Sequence, residues 1–150
     1  MKGLKILICE DEFIPATDLK KQLTALGYEV LGMFIKAEQG LAYMEKFQNT
    51  SQFPDAVIMD INLKGDMDGI EAVQVIGEKY GCGVMLLTGL GQLELIEEIF
   101  KEKPIPFLIK PFDIYMVHVG LQLAVYQAQL EKQITLLQIE VRNLTTKPNN

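Results

Sequence analysis

Residues 57–72 read VIMDINLKGDMDGIEA. The apolar run Ala56–Met59 contains no polar side chain and is closed by Asp60. A strand buried on both faces has this appearance, because neither side of its pleat meets water. Asn62, Gly65, Asp66 and Asp68 follow, a loop composition. From Asp68 to Tyr80 the pattern becomes helical, with Ile70, Val73 and Ile76 on one side. Gly81 and Gly83 break it. This stretch is therefore one strand–loop–helix unit.

The same unit recurs on both sides. Leu4–Cys9 (LKILIC) is a strand, followed by a helix over Ile14–Leu26 with Pro15 in its first turn and Gly27 as its stop. Tyr28–Met33 reads as a second strand and Ala37–Phe47 as a second helix, and Phe53-Pro54-Asp55 marks the turn before Ala56. Val84–Leu87 is a fourth strand, Leu93–Phe100 a helix with an acidic face, and Phe107–Ile109 a fifth strand. Asp113 is placed to cap a last helix from about Ile114. Alternation of this kind predicts an α/β fold, a doubly wound five-stranded parallel sheet with helices on both faces.

In an open parallel sheet, the residues that close the strands converge on one rim. Here they are Glu10, Asp11 and Glu12 after the first strand, Asp60 after the third, Thr88 after the fourth and Lys110 after the fifth. Gathered carboxylates repel unless protons or a cation neutralise them. An oxygen-only donor set suits a hard ion such as Mg²⁺, and the chain has no His–Cys cluster for a soft metal. A carboxylate can also serve as nucleophile and form an aspartyl-phosphate, with Lys110 and Thr88 as partners for phosphoryl oxygens.

With these motifs in view, ILICEDE at 6–12, VIMDINLKGDMDGIEA at 57–72, MLLTG at 85–89 and FLIKPF at 107–112, the chain resembles a response-regulator receiver domain of two-component signalling. The resemblance implies a flavodoxin-like sheet with strand order 2-1-3-4-5. It implies that Asp60 accepts a phosphoryl group from the phosphohistidine of a sensor histidine kinase. Asp11 would bind Mg²⁺, assisted by Glu10 and by the backbone carbonyl of Asn62. Thr88 and Lys110 would hold the phosphoryl oxygens, and Phe107 would repack beside Thr88 as a switch. The Lys110-Pro111 peptide would be cis. Two departures stand out: the loop after Asp60 lacks the usual proline and is one residue longer, and the switch position holds Phe107, which has no hydroxyl.

The whole chain carries a net charge of −6 over 150 residues, which disfavours direct binding of nucleic acid. All of that charge lies in residues 1–112, with 17 acids against 11 bases, and residues 113–150 are neutral. Cys9 and Cys82 are far apart and lie in or beside apolar runs, so they read as buried thiols of a reducing compartment. His118 reads as a helix-face histidine. No apolar run approaches a membrane span, and the expected location is cytoplasmic.

The expected organisation is a receiver over 1–126, a helical extension over 127–146 and a frayed tail over 147–150. In the extension Leu130, Ile134, Leu137, Val141 and Leu144 repeat at spacings of 4, 3, 4 and 3, a coiled-coil seam that favours two parallel strands. Leu136 and Ile139 lie off that seam, and a helix folded back on its own domain is the competing arrangement. The expected output is a homodimer through the C-terminal helix, a downstream protein or a fused module. Two other classes remain open at this point. One is a Mg²⁺-dependent phosphohydrolase with Asp60 as nucleophile, which normally has its motif on an early strand and a substrate cap. The other is a mononucleotide binder, which calls for a Ser/Thr- and Gly-rich loop where this chain has Glu-Asp-Glu. The leading expectation is not an enzyme on outside substrates.

Overall fold

A computed structural model of the chain describes residues 3–63 and 65–146. The expected fraying of 147–150 lies outside the described residues. Five parallel strands, β1 (Lys5–Cys9), β2 (Glu29–Phe34), β3 (Ala56–Asp60), β4 (Gly83–Thr88) and β5 (Phe107–Ile109), form one sheet in the order β2-β1-β3-β4-β5. They alternate with helices α1 (Phe13–Ala25), α2 (Ala37–Phe47), α3 (Gly69–Val75), α4 (Leu93–Phe100) and α5 (Ile114–Thr146). The doubly wound arrangement and the strand order are those expected from the sequence.

The sheet sorts alternate residues to opposite faces. Leu7, Cys9, Val57, Met59 and Leu86 belong to the core cluster that takes in Met44 of α2, Val73 of α3 and Ile96 of α4. Ile6, Ile8, Ile58, Met85 and Leu87 belong to the other, with Leu19 of α1 and Leu121 of α5. All five residues of β3 are buried, which is why its sequence is unbroken by polar groups before Asp60.

Boundaries differ from the sequence reading by a residue or two. β2 runs Glu29–Phe34 rather than Tyr28–Met33, because the edge strand is only half-buried and gives a weaker pattern. The helix expected over Asp68–Tyr80 is α3 followed by a π-helical turn, Ile76–Tyr80, which ends at Gly81 with φ 61°. Asp68 is its cap, its carboxylate accepting from the Glu71 N–H at 2.9 Å. Asp113 caps α5 in the same way, accepting from the Met116 N–H at 3.0 Å.

α5 is one uninterrupted helix of 33 residues. Its first part packs on β4, and farther along Glu131 pairs with Lys103 at 3.1 Å. Residues 132–146 are exposed throughout. The extension therefore stands away from the sheet, and the folded-back arrangement is not adopted. Among the described residues, no helix is long and apolar enough to cross a membrane.

Candidate functional site

The site lies at the C-terminal rim of the sheet, where three adjacent strands, β1, β3 and β4, end with β5 beside them. Glu10 follows β1 directly, Asp60 is the last residue of β3, Thr88 the last of β4, and Lys110 follows β5. Sequence positions 50 and 100 residues apart meet here because parallel strands all end on the same side.

Glu10, Asp11 and Asp60 each bring one carboxylate oxygen to within 4.8 Å of the others. Glu10 and Asp60 are buried, and Asp11 is half-exposed. The Lys110 ammonium donates to Asp60 Oδ2 at 2.7 Å and to Glu10 Oε2 at 2.9 Å. The remaining oxygens of the two buried carboxylates are met by backbone: the Asn62 N–H donates to Asp60 Oδ1 at 2.8 Å, and the Glu12 N–H to Glu10 Oε1 at 3.1 Å. The pair Asp60 and Lys110 is thus preassembled, with its orientation fixed from both sides.

Among the described residues, three carboxylates gather beside one ammonium, so carboxylates outnumber cations in the cluster. The strain appears in titration. Burial raises the Glu10 carboxyl to about 7, Lys110 opposes that rise, and the neighbouring Asp60 adds to it. Burial works to lower Lys110, but its bonds to Asp60 and Glu10 outweigh this and hold it above its ordinary value. An oxygen-only donor set with surplus negative charge fits a hard divalent cation, and its small size fits one. A cleft of about 300 Å³ between α1 and the start of α5 is edged by Glu10, Lys110 and Pro111.

α3 starts immediately over the acceptor. A Cβ at Gly69 would lie 2.5 Å from the Asp60 carbonyl oxygen and 2.7 Å from Ile61 Cα, so only glycine allows the helix to approach this closely. The preceding loop is tied down by Glu38 of α2, whose Oε1 accepts from the Met67 N–H at 2.5 Å. No sequence pattern marked Glu38.

Not every expected residue faces the carboxylates. Thr88 is fully buried, but its hydroxyl bonds to the Gly89 carbonyl and to the Gln92 side chain, both at 3.1 Å. Gln92 was not singled out from the sequence. The Asn62 side chain is exposed, and its backbone lies beside Asp60 through the N–H bond just described. Phe107 is half-buried, edge-on to Phe100 at 5.7 Å between ring centres. The Lys110-Pro111 peptide is cis. Cys9 and Cys82 are free and buried, with burial pushing both thiols up to about 12. His118 meets the Tyr28 hydroxyl through Nδ1 at 2.5 Å, a packed helix-face histidine.

A second, apolar groove lies elsewhere. It is open, about 800 Å³, and lies along α5 and β5 between Phe100, Pro106, Phe107, Met116, Val119 and Leu123.

Comparison with known proteins agrees with this geometry. The family model described as the response regulator receiver domain matches residues 6–121. The transcriptional regulatory protein PdtaR of Mycobacterium tuberculosis is 31% identical over 143 residues, covering 95% of this chain and 65% of PdtaR. The chain thus spans about two-thirds of that relative's length. The chemotaxis protein CheY of Thermotoga maritima is 32% identical over 111 residues, 73% of this chain and 88% of CheY. Among solved structures, the signal receiver domain of a modulated diguanylate cyclase from Desulfovibrio desulfuricans G20 superposes with a TM-score of 0.75 at 27% identity, covering 87% of this chain and 99% of that one. The chain belongs to the response regulator receiver domain family.

Proposed function

We propose that the protein is a phosphoacceptor switch, in which Asp60 is phosphorylated by a sensor histidine kinase and the change is read at the α4–β5–α5 face. The observation that carries this reading is the buried Asp60 carboxylate, held between Lys110 and the Asn62 N–H beside a second and third carboxylate.

Asp11, Asp60 and Glu10, with the Asn62 carbonyl, would hold Mg²⁺, which when bound neutralises charge on the transferring group. The residues themselves do the rest. An Asp60 carboxylate oxygen forms a bond to phosphorus as the bond from phosphorus to the histidine nitrogen breaks, and the imidazole keeps that electron pair. Lys110, already on Asp60 Oδ2, is positioned to follow the new charge onto a phosphoryl oxygen. Thr88 turns its hydroxyl to another. Phe107 then repacks into the space Thr88 leaves, which reshapes the groove that Phe107 lines. The chemistry is confined to the protein's own phosphorylation and its reversal.

The receiver unit proposed here is 1–126, and 127–146 is the output helix. The seam Leu130, Ile134, Leu137, Val141 and Leu144 is exposed along its length. Its β-branched row alternates with a leucine row, a pattern suited to a parallel pair with a second copy of the chain. Residues 113–150 carry no net charge, so two such helices do not repel. The PdtaR similarity extends over nearly the whole chain, and a further output module, or a separate downstream protein, is the other destination proposed for the signal.

Mass spectrometry after incubation with acetyl phosphate and Mg²⁺ tests the reading. One labile phosphoryl adduct is expected on the wild type and none on Asp60→Asn. An adduct that survives this substitution, or steady hydrolysis of a general phosphoester, would overturn it.

A further inference from the structure

We propose that Gln92 is a positioning residue that latches the Thr88 hydroxyl away from the acceptor carboxylate, so that phosphorylation must break this contact before Thr88 can take part. The proposal rests on the phosphoacceptor reading of Asp60 and adds a regulator to it.

The geometry is specific. Gln92 Oε1 accepts from the Thr88 hydroxyl at 3.1 Å and from the Gly89 N–H at 3.2 Å. Both partners are donors, which fixes the amide with its oxygen toward them. The hydroxyl has one proton, and its two acceptors, the Gln92 amide and the Gly89 carbonyl, lie outside the carboxylate cluster. Asp60 is meanwhile satisfied by Lys110 and the Asn62 N–H, so nothing at the acceptor draws Thr88 inward. Thr88 is fully buried, so a hydroxyl that turns toward Asp60 and leaves both Gln92 and the Gly89 carbonyl needs a new partner at once. A phosphoryl oxygen on Asp60 is such a partner.

The latch also links chemistry to the output face. Gln92 closes the single 3₁₀ turn Leu90–Gln92, which leads directly into α4. Leu90 is 73% exposed, so little packing holds that turn in place apart from the Gln92 contacts. A side chain that only capped the turn would need the Gly89 N–H alone. Sharing the same oxygen with Thr88 couples the start of α4 to the state of the site.

Two states compete for one hydroxyl, and removing the acceptor that favours the resting state shifts the balance toward the active one. The net worth of one neutral hydrogen bond corresponds to about a fivefold change in affinity for a ligand that binds the active state. Gln92→Met keeps the side chain's length without the acceptor, Gln92→Ala removes it by truncation, and Gln92→Glu keeps an oxygen for both donors. The test is NMR of unliganded protein, reading the Thr88 side-chain rotamer by scalar couplings, followed by titration with beryllofluoride and Mg²⁺. The wild type and Gln92→Glu should show one Thr88 rotamer. Gln92→Met and Gln92→Ala should show an averaged one and bind beryllofluoride about fivefold more tightly than the wild type. An unchanged Thr88 rotamer in both of these variants, or affinity equal to or weaker than wild type, would overturn the latch. A wild type that takes up no beryllofluoride would instead overturn the phosphoacceptor reading beneath it.

Discussion

Replacing Lys110 by Met removes the one ammonium among the described residues that bonds to Glu10 and Asp60. In the wild type that ammonium lies 2.9 and 2.7 Å from their oxygens, and the two carboxylate side chains are 2% and 4% exposed. Breaking a fully buried ion pair by removing one partner costs about 3–5 kcal/mol. Two features reduce this figure. The lysine side chain is one-third exposed, so solvent screens part of the attraction. Glu10 already titrates at about 7, so it can shed its charge by taking a proton. The expected loss at pH 7 is about 2 kcal/mol. Its pH dependence has a definite sign. At low pH the variant's carboxylates are protonated and little is lost. Above about pH 7 the wild type releases the Glu10 proton and pairs the carboxylate with Lys110, whereas the variant must still hold that proton, so the loss grows by up to about 1.4 kcal/mol per pH unit. A divalent cation replaces the missing positive charge, so Mg²⁺ should stabilise the variant more than the wild type. Urea unfolding at pH 5, 7 and 8, with and without Mg²⁺, reads all three effects. A loss that is the same at every pH, or equal stabilisation of both proteins by Mg²⁺, would refute the electrostatic coupling argued here.

Other consequences follow from the same geometry. With its carboxyl raised to about 7, Glu10 holds a proton in the metal-free fold that the unfolded chain has released, so its contribution to stability is present below about 4.5 and lost as pH rises through 7. A cation must displace that proton, so Mg²⁺ affinity should rise with pH up to about 7 and lose most of this dependence in Glu10→Gln, as calorimetry in two buffers would show. Gly69→Ala places a methyl 2.5 Å from the Asp60 carbonyl and should cost about 1–3 kcal/mol in denaturant unfolding while slowing phosphorylation by acetyl phosphate. Leu137→Asn, exposed in the single chain, should leave unfolding of the domain unchanged but dissociate any dimer seen by sedimentation.

Much of the rim could be read from the residues because each strand stops where a chemically distinct side chain begins. Asp60 closes four apolar residues, and Lys110 stands between a three-residue strand and Pro111. Parallel topology then brings these endings together, so their positions in space follow from their positions in sequence. Details that depend on tertiary contact were not legible. The ring of bonds through Lys110 to both Glu10 and Asp60 needs the fold to be known first. Glu38 meets the Met67 N–H across 29 residues without any pattern. Gln92 follows a glycine-containing turn like many others, and only the side-chain rotamer of Thr88 gives it a role. The π-helical turn at Ile76–Tyr80 keeps the apolar spacing of an α-helix, so periodicity could not separate the two. The extension was legible as an uninterrupted helix but not in its direction. Leu136 and Ile139 allowed a folded-back helix, whereas the observed helix continues straight from α5 into open solvent.

The central claim is that one carboxylate, Asp60, accepts the phosphoryl group within a cation-binding cluster that Lys110 and Thr88 complete. A crystal structure with Mg²⁺ and beryllofluoride tests it most directly. The account predicts the cation on Asp11 and Asp60, beryllium on an Asp60 oxygen, and fluorines bonded to Lys110 and to a Thr88 hydroxyl turned away from Gln92. Beryllofluoride bound at another residue, or a cation seated away from Asp11 and Asp60, would contradict it.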